Sequence, residues 1–251
     1  GAISPGFQAD FVVLDNLQDL NVTDVFYKGK LVDRNAPIRV KTCGRALKHT
    51  VHLDKVKAEQ FVLPIGKKKT HVIGINPSQI TTEDLAVSLQ PAANYVPTDG
   101  YSKVAAVERH HNTGKIGVAV AKGYGIRNGA VASSVSHDSH NIIVIGDNDR
   151  DMALAVDEII RTQGGYTVVE NGEVFETLPL PIMGLMSDAG FESVNETLGR
   201  MIKKAHEMGV PADIEPFITL SFLALPVIPT LRITPRGLCL LTAKGPEILQ
   251  E

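Results

Sequence analysis

The sequence predicts a mixed α+β protein in two parts: a small β-sandwich remnant, then an α/β domain with a mixed sheet and two main helices. Three observations predict it. Short runs of β-branched and small apolar residues recur between glycine turns, as strands do. Two longer stretches carry apolar residues at helical spacing instead. Between Asp33 and Lys69 the pattern loses its period and fills with Lys and Arg, ending in Gly66-Lys67-Lys68-Lys69. A linker is expected there with a boundary near residue 65, giving parts 1–64 and 65–251.

The first part opens with the apolar run Phe11 to Leu14, then polar residues to Asn21, then Val22 to Val32 interrupted by Lys28-Gly29-Lys30. This reads as strands joined by a hairpin. In the second part, Val72 to Ile75, Val104 to Val107, Ile116 to Ala121, Ala130 to Val135 and Asn141 to Ile145 read as strands of a mixed sheet with at least one covered face. Ile80 to Gln90 suits either a strand or a short capped helix. From Asp149 to Thr162, Met152, Ala155, Val156 and Ile159 fall at helical spacing, with Asp149 as the expected N-cap and Gly164 as the stop. From Ala189 to Met208, a stripe of Phe191, Val194, Leu198, Met201, Ile202, Ala205 and Met208 ends at Gly209 and Pro211. Between the helices, Asn171-Gly172 turns a hairpin. The run Phe217 to Pro229, broken by Pro226, is too short for the ~20 residues of a membrane span and is expected as a buried strand.

Composition narrows the function classes. With 25 Lys+Arg against 28 Asp+Glu the net charge is −3, so no global basic field awaits a phosphate backbone. Five Tyr, eight Phe and no Trp give few stacking platforms for single-stranded nucleic acid. Neither nucleic acid nor a membrane is an expected partner. Two cysteines, Cys43 and Cys239, make no disulfide framework, and with no export signal in view the expected compartment is the cytoplasm. The chain begins at Gly1 rather than Met and is expected to be a piece of something longer.

Two motifs are set aside on their spacing. Asp147-Asn148-Asp149-Arg150-Asp151 with Glu158 imitates a calcium loop, but Met152 occupies the position that needs glycine, so helix capping is preferred. Lys122 to Gly129 carries three glycines as G-x-G-x-x-x-G, and a small-residue strand follows rather than a helix. Those glycines are assigned to turns or to close backbone approach. Glu108-Arg109-His110-His111 reads as a solvated strand end. The densest chemistry is Ser133 to Asn141, where His137, Asp138 and His140 crowd a strand end with several hydroxyls. His and Asp there can ligate a transition metal or move protons, or they can simply hold a tight turn.

These residues carry a resemblance. Gly114 to Gly117, Lys122 to Gly125, Gly129 to Ser134 and Ser136 to Gly146 resemble the carboxy-terminal domain of the bacterial and archaeal adenine deaminases. Gly1 to Asp15 with Val25 to Val32 resembles the tail that follows the barrel in metal-dependent amidohydrolases and completes a small β-sandwich. The resemblance extends through Pro181 to Ser187 and Thr219 to Leu225.

It implies a hydrolase that converts adenine to hypoxanthine and ammonia at a two-metal centre of manganese or iron, in purine salvage. A metal lowers the pKa of its bound water so that a nucleophile exists at neutral pH. The family's metals are held mainly by a TIM-type barrel with a His-x-His pair. This chain has no His-x-His and no room for eight strand–helix units before Phe11, so the barrel is expected upstream and the chain alone is expected to be inactive. Homo-oligomerisation of the whole enzyme is also expected. Carried onto this chain, the resemblance leaves His137, Asp138 and His140 as candidates for a further metal or for contacts near the purine. Ser136 and Asn141 are candidates for substrate contact. The competing reading is a stand-alone α/β regulatory domain that binds a metal or small ligand at this cluster.

Overall fold

The computed structural model describes residues 1–36, 43–66, 68–98 and 100–249, so residues 37–42 and Lys67 of the expected linker lie outside the described residues. By internal contacts the chain forms two compact units, Gly1–Thr42 and Cys43–Glu251.

The first unit is a three-stranded antiparallel sheet of β1 (Phe11–Leu14), β2 (Val22–Tyr27) and β3 (Lys30–Leu31). Lys28 and Gly29 at φ 51° and 73° make the two-residue left-handed turn whose twist suits a tight hairpin. Phe11 lies opposite Phe26 with ring centroids 4.7 Å apart. Phe7, Phe11, Val12, Val13, Leu17 and Leu31 stay exposed.

The second unit is built on an eight-stranded sheet. Its strands are β4 (Thr70–Ile75), β5 (Thr82–Val87), β6 (Tyr101–Val107), β7 (Ile116–Lys122), β8 (Gly129–Ser133), β9 (Ile142–Gly146), β10 (Gly165–Glu170) and β11 (Glu173–Pro179). They lie in the order β11-β10-β8-β9-β6-β7-β4-β5, with β4 and β7 parallel and the other pairs antiparallel. The stretch from Ile80 to Gln90 thus resolves as a strand.

Both faces of this sheet are covered, which is why its central strands read as unbroken apolar runs rather than alternating ones. Val104, Ala106, Ile143 and Ile145 point to one face, and Ala105, Val107, Ile142 and Val144 to the other. On the first face lie α2 (Phe191–Glu207), α3 (Pro216–Leu223) and a meander of β12 (Leu231–Thr234), β13 (Gly237–Thr242) and β14 (Gly245–Ile248). On the second lies α1 (Asp149–Thr162), joined by Val51, Val56 and Phe61. From Cys43 onward the supposed linker is therefore part of this unit. Its few apolar residues are core anchors too widely scattered to show a period.

Three local expectations need correction. Phe217 to Pro229 is not a strand: α3 starts at Pro216, and the Glu215 side chain caps it by accepting from the Ile218 N–H. A short segment that is apolar all round suits a buried helix as well as a buried strand, and periodicity cannot separate them. The N-cap of α1 is Asn148, whose side chain accepts from the Asp151 N–H, while Asp149 is the first helical residue and is engaged elsewhere. Met201 and Ala205 in α2 and its C-cap Met208 are buried as expected, but Phe191, in the first turn, is 76% exposed.

Candidate functional site

The Ser133 to Asn141 segment is the connection from β8 to β9, and the structure closes it on itself. Ser133 Oγ accepts from the Val135 N–H at 2.9 Å. The His140 N–H donates to the Ser136 carbonyl at 2.6 Å, and the Ser136 N–H donates to His140 Nδ1 at 3.2 Å. His140 takes the left-handed backbone, φ 49°, to complete the turn. The His137 N–H anchors the loop to α3 by donating to the Ser221 carbonyl at 3.0 Å.

The loop presents two kinds of surface. Ser136 and Asn141 are buried, whereas the His137 side chain is 40% exposed and that of Asp138 is 84% exposed. The His137 ring lies 4.9 Å from Phe222 and 5.8 Å from His140, measured between centroids. Its Nδ1 is 3.8 Å from the Asp138 carboxylate, too long for a direct hydrogen bond. Burial lowers the His140 pKa, and the neighbouring His137 and Arg109 lower it further. Asn141 Oδ1 accepts from the Arg109 N–H at 3.3 Å, and its amide donates to Ser139 Oγ at 3.2 Å. Ser136 Oγ is buried and, among the described residues, has no hydrogen-bond partner.

The Glu108 to His111 segment, at the end of β6, borders the same loop and is not simply solvated. His111 is exposed as expected, while Glu108 and His110 are half-buried; burial would raise the Glu108 pKa, but hydrogen bonds from Thr113, His110 and His111 hold it below the ordinary value. Its carboxylate organises the tight turn at 108–113. His110 Nε2 lies 2.7 Å from the Ser139 carbonyl. Arg109 is 2% exposed and points inward. Its guanidinium donates to the carbonyls of His140, Thr50 and Met183 and to the Thr50 hydroxyl. Sequence reasoning missed Arg109 because a charged residue after an apolar strand usually leaves the core.

The other motifs resolve as structure. Asp147 accepts from the N–H groups of Asn128 and Gly129, Asp149 pairs with Lys103, and Glu158 pairs with Arg161 and Thr177, so the calcium-like acids are already engaged. Gly123 and Gly125 take φ of +105° and +70°, and a Cβ on Gly129 would stand 2.0 Å from the Val169 carbonyl oxygen. Turns and close approach account for that glycine run. Among the described residues, no three His, Cys, Asp or Glu side chains are grouped to hold a metal ion, and no helix is long and apolar enough to cross a membrane.

The fold and loop define an α+β domain with a covered mixed sheet whose exposed polar chemistry gathers where β8 turns into β9. Comparison with known proteins makes the class specific. The sequence model described as the adenine deaminase C-terminal domain matches residues 79–244, and this chain belongs to that family. It is 50% identical over 240 residues to the adenine deaminase of Desulfitobacterium hafniense (strain Y51) and 46% identical over 244 residues to that of Nitratidesulfovibrio vulgaris (strain DP4); each match covers 95% of this chain and 42% of the relative. Adenine deaminase 2 of Carboxydothermus hydrogenoformans is 41% identical over 244 residues. The chain thus spans about two fifths of the length of the curated relatives it matches.

Proposed function

We propose that this chain is the carboxy-terminal part of a cytoplasmic adenine deaminase of purine salvage. In that reaction water replaces the C6 amino group of adenine, and hypoxanthine and ammonia leave. The observation that carries the reading is the match to adenine deaminases over 95% of the chain at up to 50% identity. Two features of the chain support it. The first unit leaves both small and large apolar side chains of a short sheet in solvent, the state of a half-built sandwich that awaits further strands. The β8–β9 loop holds polar groups outward on a rigid base, as a segment that contributes to a neighbouring site should.

The residues present do not fit a two-metal centre. His137 and His140 have no third ligand grouped with them among the described residues, and Asp138 projects into solvent. The manganese or iron of the family therefore belongs to the upstream barrel in this reading, and no step is routed through it here. What this chain supplies is contact: His137 and Asp138 offer hydrogen bonds near the purine, while Ser136 and Asn141 hold the loop's shape from beneath. In this reading the unit Gly1–Thr42 belongs with the sandwich and the unit Cys43–Glu251 is the deaminase-specific part, in a whole enzyme that self-associates.

The test uses the whole protein that contains this chain. His137→Ala, Asp138→Ala and His140→Ala are each assayed for adenine turnover and bound metal. The expected result is reduced turnover for His137→Ala and Asp138→Ala with metal content unchanged. Turnover and metal both unchanged in all three would reduce the loop to a structural turn. Failure of the unsubstituted whole protein to release hypoxanthine would overturn the activity itself.

A further inference from the structure

Arg109 is buried without a carboxylate. Every acceptor its side chain meets among the described residues is a carbonyl or hydroxyl oxygen: His140 O through Nε, Thr50 O and Oγ1 through Nη1 at 3.2 and 3.4 Å, and Met183 O through Nη2 at 3.0 Å. Desolvation lowers its pKa to about 10, which leaves it charged at neutral pH. The three carbonyls belong to three irregular segments: the stretch before β4, the β8–β9 loop, and the connection from β11 to α2. Gly184 packs flat against the guanidinium, since a Cβ there would come within 2.7 Å of Nη1. Its carbonyl is held in turn by Ser134 Oγ at 2.6 Å.

A planar fork of charged donors fixes direction as well as distance, and each such bond is stronger than a neutral one. A buried charge is a costly way to hold loops when neutral side chains would serve. Its use here makes sense if the geometry of what it holds matters. The stretch before β4, which exposes His49 and His52, is held through Thr50 and by the His52 N–H, which donates to the Arg109 carbonyl at 2.7 Å. The β8–β9 loop is held as well, and it is the one of the three that carries the site candidates His137 and Asp138. Arg109 grips that loop twice, at the His140 carbonyl through its side chain and at the Asn141 side chain through its backbone N–H.

We infer that Arg109 is a positioning residue: its guanidinium fixes the His140 backbone and so sets where His137 and Asp138 project. The role in catalysis rests on the reading that this loop serves the deaminase site.

The test separates the two. In the 251-residue chain, Arg109→Met and Arg109→Lys are examined by amide hydrogen exchange. Expected is exchange about tenfold faster or more at the His140 amide in Arg109→Met, the scale set by losing one hydrogen bond to a charged group, with Ala105 in β6 unchanged and Arg109→Lys in between. In the whole deaminase the same variants should lower kcat, with Lys recovering part of the loss. If Arg109→Met does not fold, Arg109→Lys decides alone. Exchange at His140 within about twofold of the parent in the folded variants overturns the clamp, since no charged hydrogen bond of the usual strength would have been lost. Faster exchange with unchanged kcat overturns the loop's part in the reaction while leaving the clamp intact.

Discussion

Lys103 and Asp149 form an ion pair at 2.5 Å in which the lysine side chain is 1% exposed and the aspartate 16%. Lys103 sits on β6 in the middle of the sheet, and its ammonium also donates to the Phe61 carbonyl at 3.0 Å and to Asn94 Oδ1 at 2.9 Å. Three donors meet three acceptors. Asp149 stands in the first turn of α1, where the helix dipole favours a carboxylate. The pair therefore joins the sheet, the start of α1 and the 3-10 turn at Ala58–Phe61.

Breaking this pair from one side should be expensive. Lys103→Met keeps the length but takes the ammonium from the Phe61 carbonyl and leaves the Asp149 carboxylate with only the neutral Asn94 amide, at 2.7 Å, as a side-chain donor, and one-sided loss of a buried pair costs about 3 to 5 kcal/mol. Chemical denaturation of the 251-residue chain checks it. A loss below about 1 kcal/mol, the worth of an exposed pair, would mean that water reaches the site.

Gly129 predicts a steric result. It is the first residue of β8, and an added Cβ would lie 2.0 Å from the Val169 carbonyl oxygen and 3.0 Å from its carbon, both backbone atoms of the paired strand β10. Backbone in a ladder cannot step aside as a flexible side chain does, so Gly129→Ala should destabilise by about 1 to 3 kcal/mol, the range of an overpacked core. Gly199→Ala is the control, because nothing lies within 4 Å of its position and alanine is the better helix former. A thermal melt in which Gly129→Ala equals or exceeds the parent would show that β8 and β10 can separate at no cost.

How much of this was legible in the sequence follows from the range of each interaction. The Lys28-Gly29 and Asn171-Gly172 turns, the strands of the sheet and the body of α1 are fixed by neighbours in sequence, and they stand where the local pattern puts them. The helix over Pro216–Leu223 was hidden because it is apolar all round, its exposed Ile218 included, which removes the amphipathic signal. The β12–β14 meander passed unread, since its strands are short and follow a proline-broken run. At the candidate site the sequence located the loop, because the residues that form it are contiguous. It could not locate Arg109 as the loop's support: Thr50, His140 and Met183 lie 59, 31 and 74 residues from it, and only the fold brings them together.

Two glutamates predict opposite responses to pH. The Arg161 guanidinium, 2.6 Å from Glu158 Oε1, and the Thr177 hydroxyl hold the Glu158 carboxyl below its ordinary value of 4.5. A carboxyl depressed by folding stabilises fully above the unfolded value, and that stability is lost as pH falls through the folded one. Glu158→Gln should therefore weaken the chain at pH 7 and converge on the parent at low pH. Burial raises the pKa of Glu215, and the N–H groups of Ile218 and Phe217 offset this only in part. Here the stability is complete below 4.5 and lost as pH rises through the raised folded value. Gln keeps a carbonyl to cap α3 and carries no charge, so Glu215→Gln should gain on the parent between acid and neutral pH, just where Glu158→Gln loses. Denaturation midpoints measured across that window for both variants decide the matter: slopes of the same sign relative to the parent would show that one carboxyl is wrongly placed in its surroundings.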